Sequence, residues 1–152
     1  MDPASLAAVG SGAVGGAVAR YAVATLGKRR GAVHPWPTTL VNLAGSFVLG
    51  AVVASTALPP RAKLLVGTGF CGSFTTFSTY SVETVQLVEA GKYGAALAHV
   101  AINNVGSGAA ALAGMALVRR PLPPLPVRPP QGPRATASRP VNSKLGPPPK
   151  PP

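Results

Sequence analysis

The tightest constraint on this chain is the run Gly69-Phe-Cys-Gly-Ser-Phe-Thr-Thr-Phe-Ser-Thr-Tyr-Ser81, with Glu83 just beyond it. The run lies inside an apolar segment from about Leu64 to Ala90, long enough to cross a bilayer. Its middle nevertheless carries glycines and hydroxyl side chains interleaved with aromatics. Lipid hydrocarbon does not tolerate unsatisfied backbone, so irregular chain at membrane depth must be buried in protein or line an aqueous path. The run therefore points to a permeation pathway or an ion site.

Charge supports a membrane setting. Only 11% of the 152 residues are charged, roughly half the share of a soluble domain. Three acids, Asp2, Glu83 and Glu89, stand against fourteen Lys and Arg. So few carboxylates leave little scope for acid–base or metal chemistry, and no enzyme is expected. The basic residues sit between apolar segments and in the C-terminal tail. That distribution does not suit a nucleic-acid binder, which gathers its charge on one folded face. Cys71 is the only cysteine, so it has no intrachain disulfide partner. The first apolar run lacks a basic leader and is too long for a signal peptide.

Four transmembrane helices of about twenty residues or more are predicted. The first spans about Leu6 to Leu26, carries the GxxxG pair Gly12 and Gly16, and has Arg20 near its end. A basic loop with Lys28, Arg29, Arg30 and His34 follows, and Trp36 suits an interfacial anchor. The second helix spans about Thr38 to Leu58, the third about Ala62 to Ala90, and the fourth about Tyr93 to Val118. Gly67, Gly69 and Gly72 point to a break in the first half of the third. Residues 1–120 thus form a helical membrane domain, and residues 121–152 a Pro-rich, basic, disordered tail. Small-residue faces suggest that the domain pairs with further helices in a dimer.

Several polar residues admit two readings. Arg20 either snorkels to the interface or attracts anions to a vestibule. Asn42 offers donors and an acceptor for helix glue or for a ligand. One Ser or Thr bonding back to its own helix means little, but Thr75, Thr76, Ser78, Thr79 and Ser81 fall within seven positions. Phe70, Phe74 and Phe77 follow packing periodicity, and Tyr80 shares the side of Phe77. Aromatic ring edges carry partial positive charge, which a small anion can contact. His99, Asn103 and Ser107 recur every four residues as one stripe, either glue or pore lining, with Asn104 beside it. Glu83 either binds a cation or proton or pairs with a basic or hydroxyl group.

Three motifs in order carry a family resemblance: Gly15-Gly-Ala-Val-Ala-Arg-Tyr21, Thr39-Leu-Val-Asn-Leu-Ala-Gly-Ser-Phe47 with Gly50, and the Gly69–Ser81 run. Over about Gly15 to Val118 the chain resembles the Fluc/CrcB family of small fluoride channels. The resemblance implies an all-α membrane protein of four transmembrane helices with the third broken, paired as an antiparallel, dual-topology-type dimer in the cell membrane. It implies two fluoride pores along the subunit interface and a structural sodium ion at the dimer centre, held by main-chain carbonyls at the break in the third helix. Those carbonyls fall on Gly72 and Thr75. The family's pore phenylalanines fall on Phe77 and Tyr80, its pore asparagine on Asn42 and its vestibule arginine on Arg20. Ser78, Thr79, Ser81, His99 and Asn103 complete the expected path. Expected partners are fluoride, sodium, membrane lipid and either a second copy or a paired family subunit.

The chain departs from the family pattern at Tyr80, where phenylalanine is usual, and at Ser73 and Thr38, where glycine is usual. His99 falls where a tyrosine is usual, and Asn103 near a usual serine. A small dual-topology drug–proton antiporter is the alternative of similar size. It relies on an acid in its first helix, and here Asp2 precedes that helix. Basic residues near the span ends balance, with Arg61, Lys63, Arg119 and Arg120 on one side and Lys28, Arg29, Arg30 and Lys92 on the other. Arg128 and Arg134 in the tail bias the termini inward.

Overall fold

A computed structural model describes residues 2–29 and 35–119. Arg30 and His34 of the first loop, Arg120 and the Pro-rich tail, for which disorder was expected, lie outside the described residues, as does the side chain of Lys28. The described residues form helices and no strands. Helix α1 is Pro3–Arg29 and α2 is Trp36–Ala54. Helix α3 covers residues 60–74, with wider π-type turns over Leu64–Cys71. Helix α4 is Phe77–Glu89, and α5 is Tyr93–Val118 with wide turns over Ile102–Gly106.

Local chemistry sets several of these ends. Asp2 accepts from the backbone N–H groups of Ala4 and Ser5 and from the Ser5 hydroxyl, capping α1. The Ser5 hydroxyl, then the Ala4 amide, hold its carboxyl below the usual carboxylate range. Pro37 in the first turn of α2 starts that helix without losing a needed N–H. Gly91 takes φ +70 after α4, and the Gly91 and Lys92 amides close on the Val88 and Leu87 carbonyls. That is the glycine-terminated helix end that lets α5 begin two residues later.

Among the described residues, three helices are long and apolar enough to cross a membrane: Pro3–Gly27, Trp36–Ala54 and Tyr93–Val118. Large apolar side chains such as Val14, Leu97, Val105, Leu112 and Leu117 stand exposed on them. The chain is a multi-pass membrane protein. The segment read as a broken third helix is two shorter helices, α3 and α4, with Thr75 and Thr76 extended between them.

Two seams hold the protomer together: α1 against α3, and α2 against the C-terminal half of α5. Both are built on backbone contact that glycine permits. A Cβ at Gly12 or Gly16 would run into the α3 backbone at Leu65 or Phe70, and one at Gly69 would meet Val9 and Gly12 of α1. A Cβ at Gly50 would strike the Ala111 carbonyl, and one at Gly114 the Phe47 carbonyl. The GxxxG pair in α1 therefore serves close approach within one chain. The glycines of the third segment do not break it, contrary to the expectation above. Gly67 and Gly69 lie inside the wide-turned helix against α2 and α1, and Gly72 is still helical. The break falls at Thr75 and Thr76, next to the carbonyls on which the resemblance placed it.

Candidate functional site

Asn42 holds the break open. An uninterrupted helix would aim the Thr76 N–H at the Gly72 carbonyl. Instead the Thr76 N–H donates to Asn42 Oδ1 at 2.8 Å, and Asn42 Nδ2 donates to the Thr76 carbonyl at 3.2 Å. Room for the extended chain comes from Gly45, one turn along α2, where a Cβ would collide with the Thr75 side chain. Thr75 folds its hydroxyl back to the Cys71 carbonyl at 3.0 Å, closing α3. Thr76 opens α4, its hydroxyl accepting from the Thr79 N–H at 3.2 Å. Each half-helix thus ends on a threonine hydroxyl, and the α2 amide spans the gap.

A polar network runs outward from this clasp. Asn42 Nδ2 donates to Asn103 Oδ1 at 2.9 Å. Asn103 Nδ2 reaches Thr39 Oγ1 at 3.1 Å and the His99 carbonyl at 2.9 Å. His99 Nδ1 lies 3.3 Å from Thr39 Oγ1, and His99 Nε2 lies 3.6 Å from Glu83 Oε2. Thr38 Oγ1 donates to Glu83 Oε1 at 2.9 Å. Of the two readings of Glu83, the structure shows pairing with a hydroxyl and a histidine. Burial of Asn103 makes the hydrogen bonds that it forms costly to lose.

Two cavities flank the break, and Thr76 borders both. The first, of 220 Å³, is lined by Asn42, Phe77, Tyr80, Asn103, Asn104 and Ser107, among others. The second, of 230 Å³, is lined by Arg20, Tyr21, Thr38, Val41, Thr76 and Thr79, among others. Each is several times the volume of about 30 Å³ that one water occupies in the liquid.

The residues picked from sequence divide accordingly. Asn42, Phe77, Tyr80, Asn103 and Thr75 meet at the first cavity, and Arg20 and Thr79 at the second. Arg20 is not at a helix end. Helix α1 continues nine residues beyond it to Arg29, and Arg20 borders the second cavity. Ser78 is exposed and lines neither cavity. Ser81 bonds back to the Phe77 carbonyl at 2.9 Å. His99 lies buried behind Asn103. Gly72 and Thr75 sit in the last turn of α3, whose carbonyls form its negative end.

The aromatic periodicity breaks with the helix. Phe70 and Phe74 stack at 5.3 Å, but Phe77 lies beyond the gap and pairs instead with Tyr80 at 5.4 Å. Phe77 is 76% exposed while Tyr80 is 9% exposed. Sequence reasoning gave little weight to Asn104 and Thr38. Asn104 borders the first cavity together with Asn103, because the wide turns at Ile102–Gly106 alter the phase of the stripe. Thr38 could not be tied to Glu83 from a separation of forty-five positions.

Residues 7–115 match the family described as CrcB-like protein, Camphor Resistance (CrcB). The chain is similar to proteins called fluoride-specific ion channel FluC. It is 47% identical over 72 residues to one from Chlorobaculum tepidum, covering 45% of this chain and 57% of the relative. It is 54% identical over 61 residues to FluC 1 of Geobacillus kaustophilus, covering 40% and 52%. It is 40% identical over 80 residues to FluC 1 of Natronomonas pharaonis, covering 50% and 65%. The matched stretches thus span about half to two thirds of these relatives' length.

Proposed function

The chain belongs to the CrcB family, and we propose that it is a fluoride-selective channel that lowers cytoplasmic fluoride by passive export. The observation that carries this reading is the Asn42-clasped break at Thr75–Thr76, set between two cavities that polar side chains border, in a chain of long apolar helices. The relatives' shared name, fluoride-specific ion channel, supplies the ion. The segment of α3 and α4 is a fourth span, broken where the path needs polar groups and protected there by protein.

The residues divide the work. Arg20 places a fixed positive charge at the second cavity, which concentrates anions at the entrance. Thr76 and Thr79 border the way past the break, and Asn103, Ser107 and the Phe77 and Tyr80 rings border the first cavity. Ring edges and neutral donors exchange readily with a small, hard anion's water shell. They bind it without the deep trap that a second buried cation would make. Fluoride enters cells as HF and dissociates inside, so a passive pore suffices for export.

The protomer completes this path as part of an antiparallel dimer, with a second copy or with a paired family subunit. Phe77 stands open to such a partner. A structural sodium ion fits the carbonyls of Gly72 and Thr75. They are neutral oxygen donors at a helix C-terminus, and Thr76, the normal donor to the Gly72 carbonyl, is turned to Asn42. When bound, the ion supplies positive charge at the break; the chain's own part is to hold those carbonyls in place through Asn42 and Gly45.

The test is flux from liposomes carrying the purified full chain, alone and together with any paired family subunit. Passive fluoride release with little chloride release is expected. Absence of fluoride release from both preparations, or chloride release of similar size, would overturn the reading.

A further inference from the structure

Tyr80 is the residue of the first cavity whose chemistry the pore described above does not use. Its ring packs between Phe77 at 5.4 Å and His99 at 5.3 Å, which fixes the side chain and leaves it 9% exposed. Its hydroxyl is oriented by Asn104. The Asn104 amide is itself pinned, because Nδ2 donates to the Val100 carbonyl at 2.8 Å and so must be the nitrogen end. The remaining N–H of that nitrogen donates to the Tyr80 oxygen at 2.9 Å. With its oxygen taken as acceptor, the phenol presents its own O–H as donor. Both residues border the cavity.

We infer that the Tyr80 hydroxyl, aimed by Asn104, forms a hydrogen-bond-donor subsite for a small anion in the first cavity. The inference deepens the proposed fluoride path: the ring edge is supplemented by an O–H donor, so the anion pauses at Tyr80. Asn104 acts as a positioning residue. A hydrogen bond to a charged group contributes about 1.5–3 kcal/mol, so losing the donor raises the half-saturating fluoride concentration at least about tenfold.

Two measurements on the full chain separate this from the channel reading. In detergent, Tyr21→Phe with Tyr93→Phe leaves Tyr80 as the sole tyrosine. Titration with sodium fluoride is expected to give a saturating tyrosine absorbance change that sodium chloride at equal ionic strength does not give. The change should vanish in the added Tyr80→Phe variant, and Asn104→Ala should shift its midpoint to higher fluoride. In liposomes, Tyr80→Phe should still conduct but should saturate at about tenfold higher fluoride. No fluoride-specific signal from Tyr80, with or without flux, overturns the subsite. Flux by the unaltered chain with an unchanged midpoint in Tyr80→Phe overturns it too and leaves the channel standing. A Tyr80 signal in a protein that carries no flux supports the subsite and removes the channel.

Discussion

Thr76 and Asn42 exchange two hydrogen bonds, from the Thr76 N–H to Asn42 Oδ1 at 2.8 Å and from Asn42 Nδ2 to the Thr76 carbonyl at 3.2 Å. The amide therefore replaces the helix partners that Thr76 gives up when the chain becomes extended. Its second N–H serves Asn103. Asn42 thus has its oxygen and both N–H groups engaged by protein, which makes it a brace for the pathway.

Asn42→Leu keeps much of the volume but removes all three bonds. A buried donor left unsatisfied costs about 1–3 kcal/mol. Thermal unfolding in detergent should show a loss of that order, and fluoride release should fall with it. Asn42→Gln, whose amide is one methylene further out, should not restore the geometry. Unchanged stability in Asn42→Leu would show that water fills the brace.

The glycine seams give a prediction independent of transport. Gly50→Ala and Gly114→Ala force a methyl into the Ala111 and Phe47 carbonyls, between two helices that cannot separate without opening the protomer. Overpacking of this kind costs typically about 1–3 kcal/mol. Gly94, with no atom within 4 Å of its Cβ position, should accept alanine with no loss. Equal melting temperatures for all three variants would mean that the α2–α5 seam is looser than described.

Much of this was legible in the sequence, for identifiable reasons. Apolar length gave the spans of α1, α2 and α5, because a bilayer sets a minimum that composition reveals. The hydroxyl-rich run located the interruption to within a few residues. Its cause was not legible. Glycines at 67, 69 and 72 suggested broken helix, yet Gly67 and Gly69 pack against α2 and α1, Gly72 is helical with open space beside it, and the break depends on a side chain on another helix. Asn42 and Thr76 are thirty-four positions apart, and nothing local in either marks the other. The same holds for Thr38 with Glu83 and for Tyr80 with Asn104. Periodicity assigned Phe77 to the face of Phe70 and Phe74, which is valid only along one unbroken helix.

Phe77 and Tyr80 should respond differently to substitution. Phe77 is largely exposed in the protomer, so Phe77→Ile should change protomer stability by no more than about 0.5 kcal/mol. It removes the polar ring edge while keeping bulk. If that edge contributes about 1.4 kcal/mol to passage, flux falls about tenfold. Flux measured beside the melting temperature separates the two effects. Flux equal to that of the unaltered chain would remove the ring edge from the mechanism.

The proposed cation at the Gly72 and Thr75 carbonyls calls for a test that spares those oxygens. Truncating Thr75 leaves its carbonyl in place, so side-chain loss there says little. Sodium dependence is more direct. A ligand that binds only the folded form stabilises it by RT ln(1 + [L]/Kd), about 2.7 kcal/mol at a hundredfold excess over Kd. The full chain should therefore melt higher in sodium chloride than in N-methylglucamine chloride at equal ionic strength. Gly72 adds a second handle, since among the described residues nothing outside its own helical turn lies within 4 Å of its Cβ position. Gly72→Val should leave the helical content of the protomer intact and abolish the sodium increment, because its bulk meets only what a partner brings to that face. Asn42→Leu should also abolish the increment, by returning the Thr76 N–H to the Gly72 carbonyl. Equal melting temperatures in the two salts for the unaltered chain would remove the ion from the proposal and leave the break itself as the structural element.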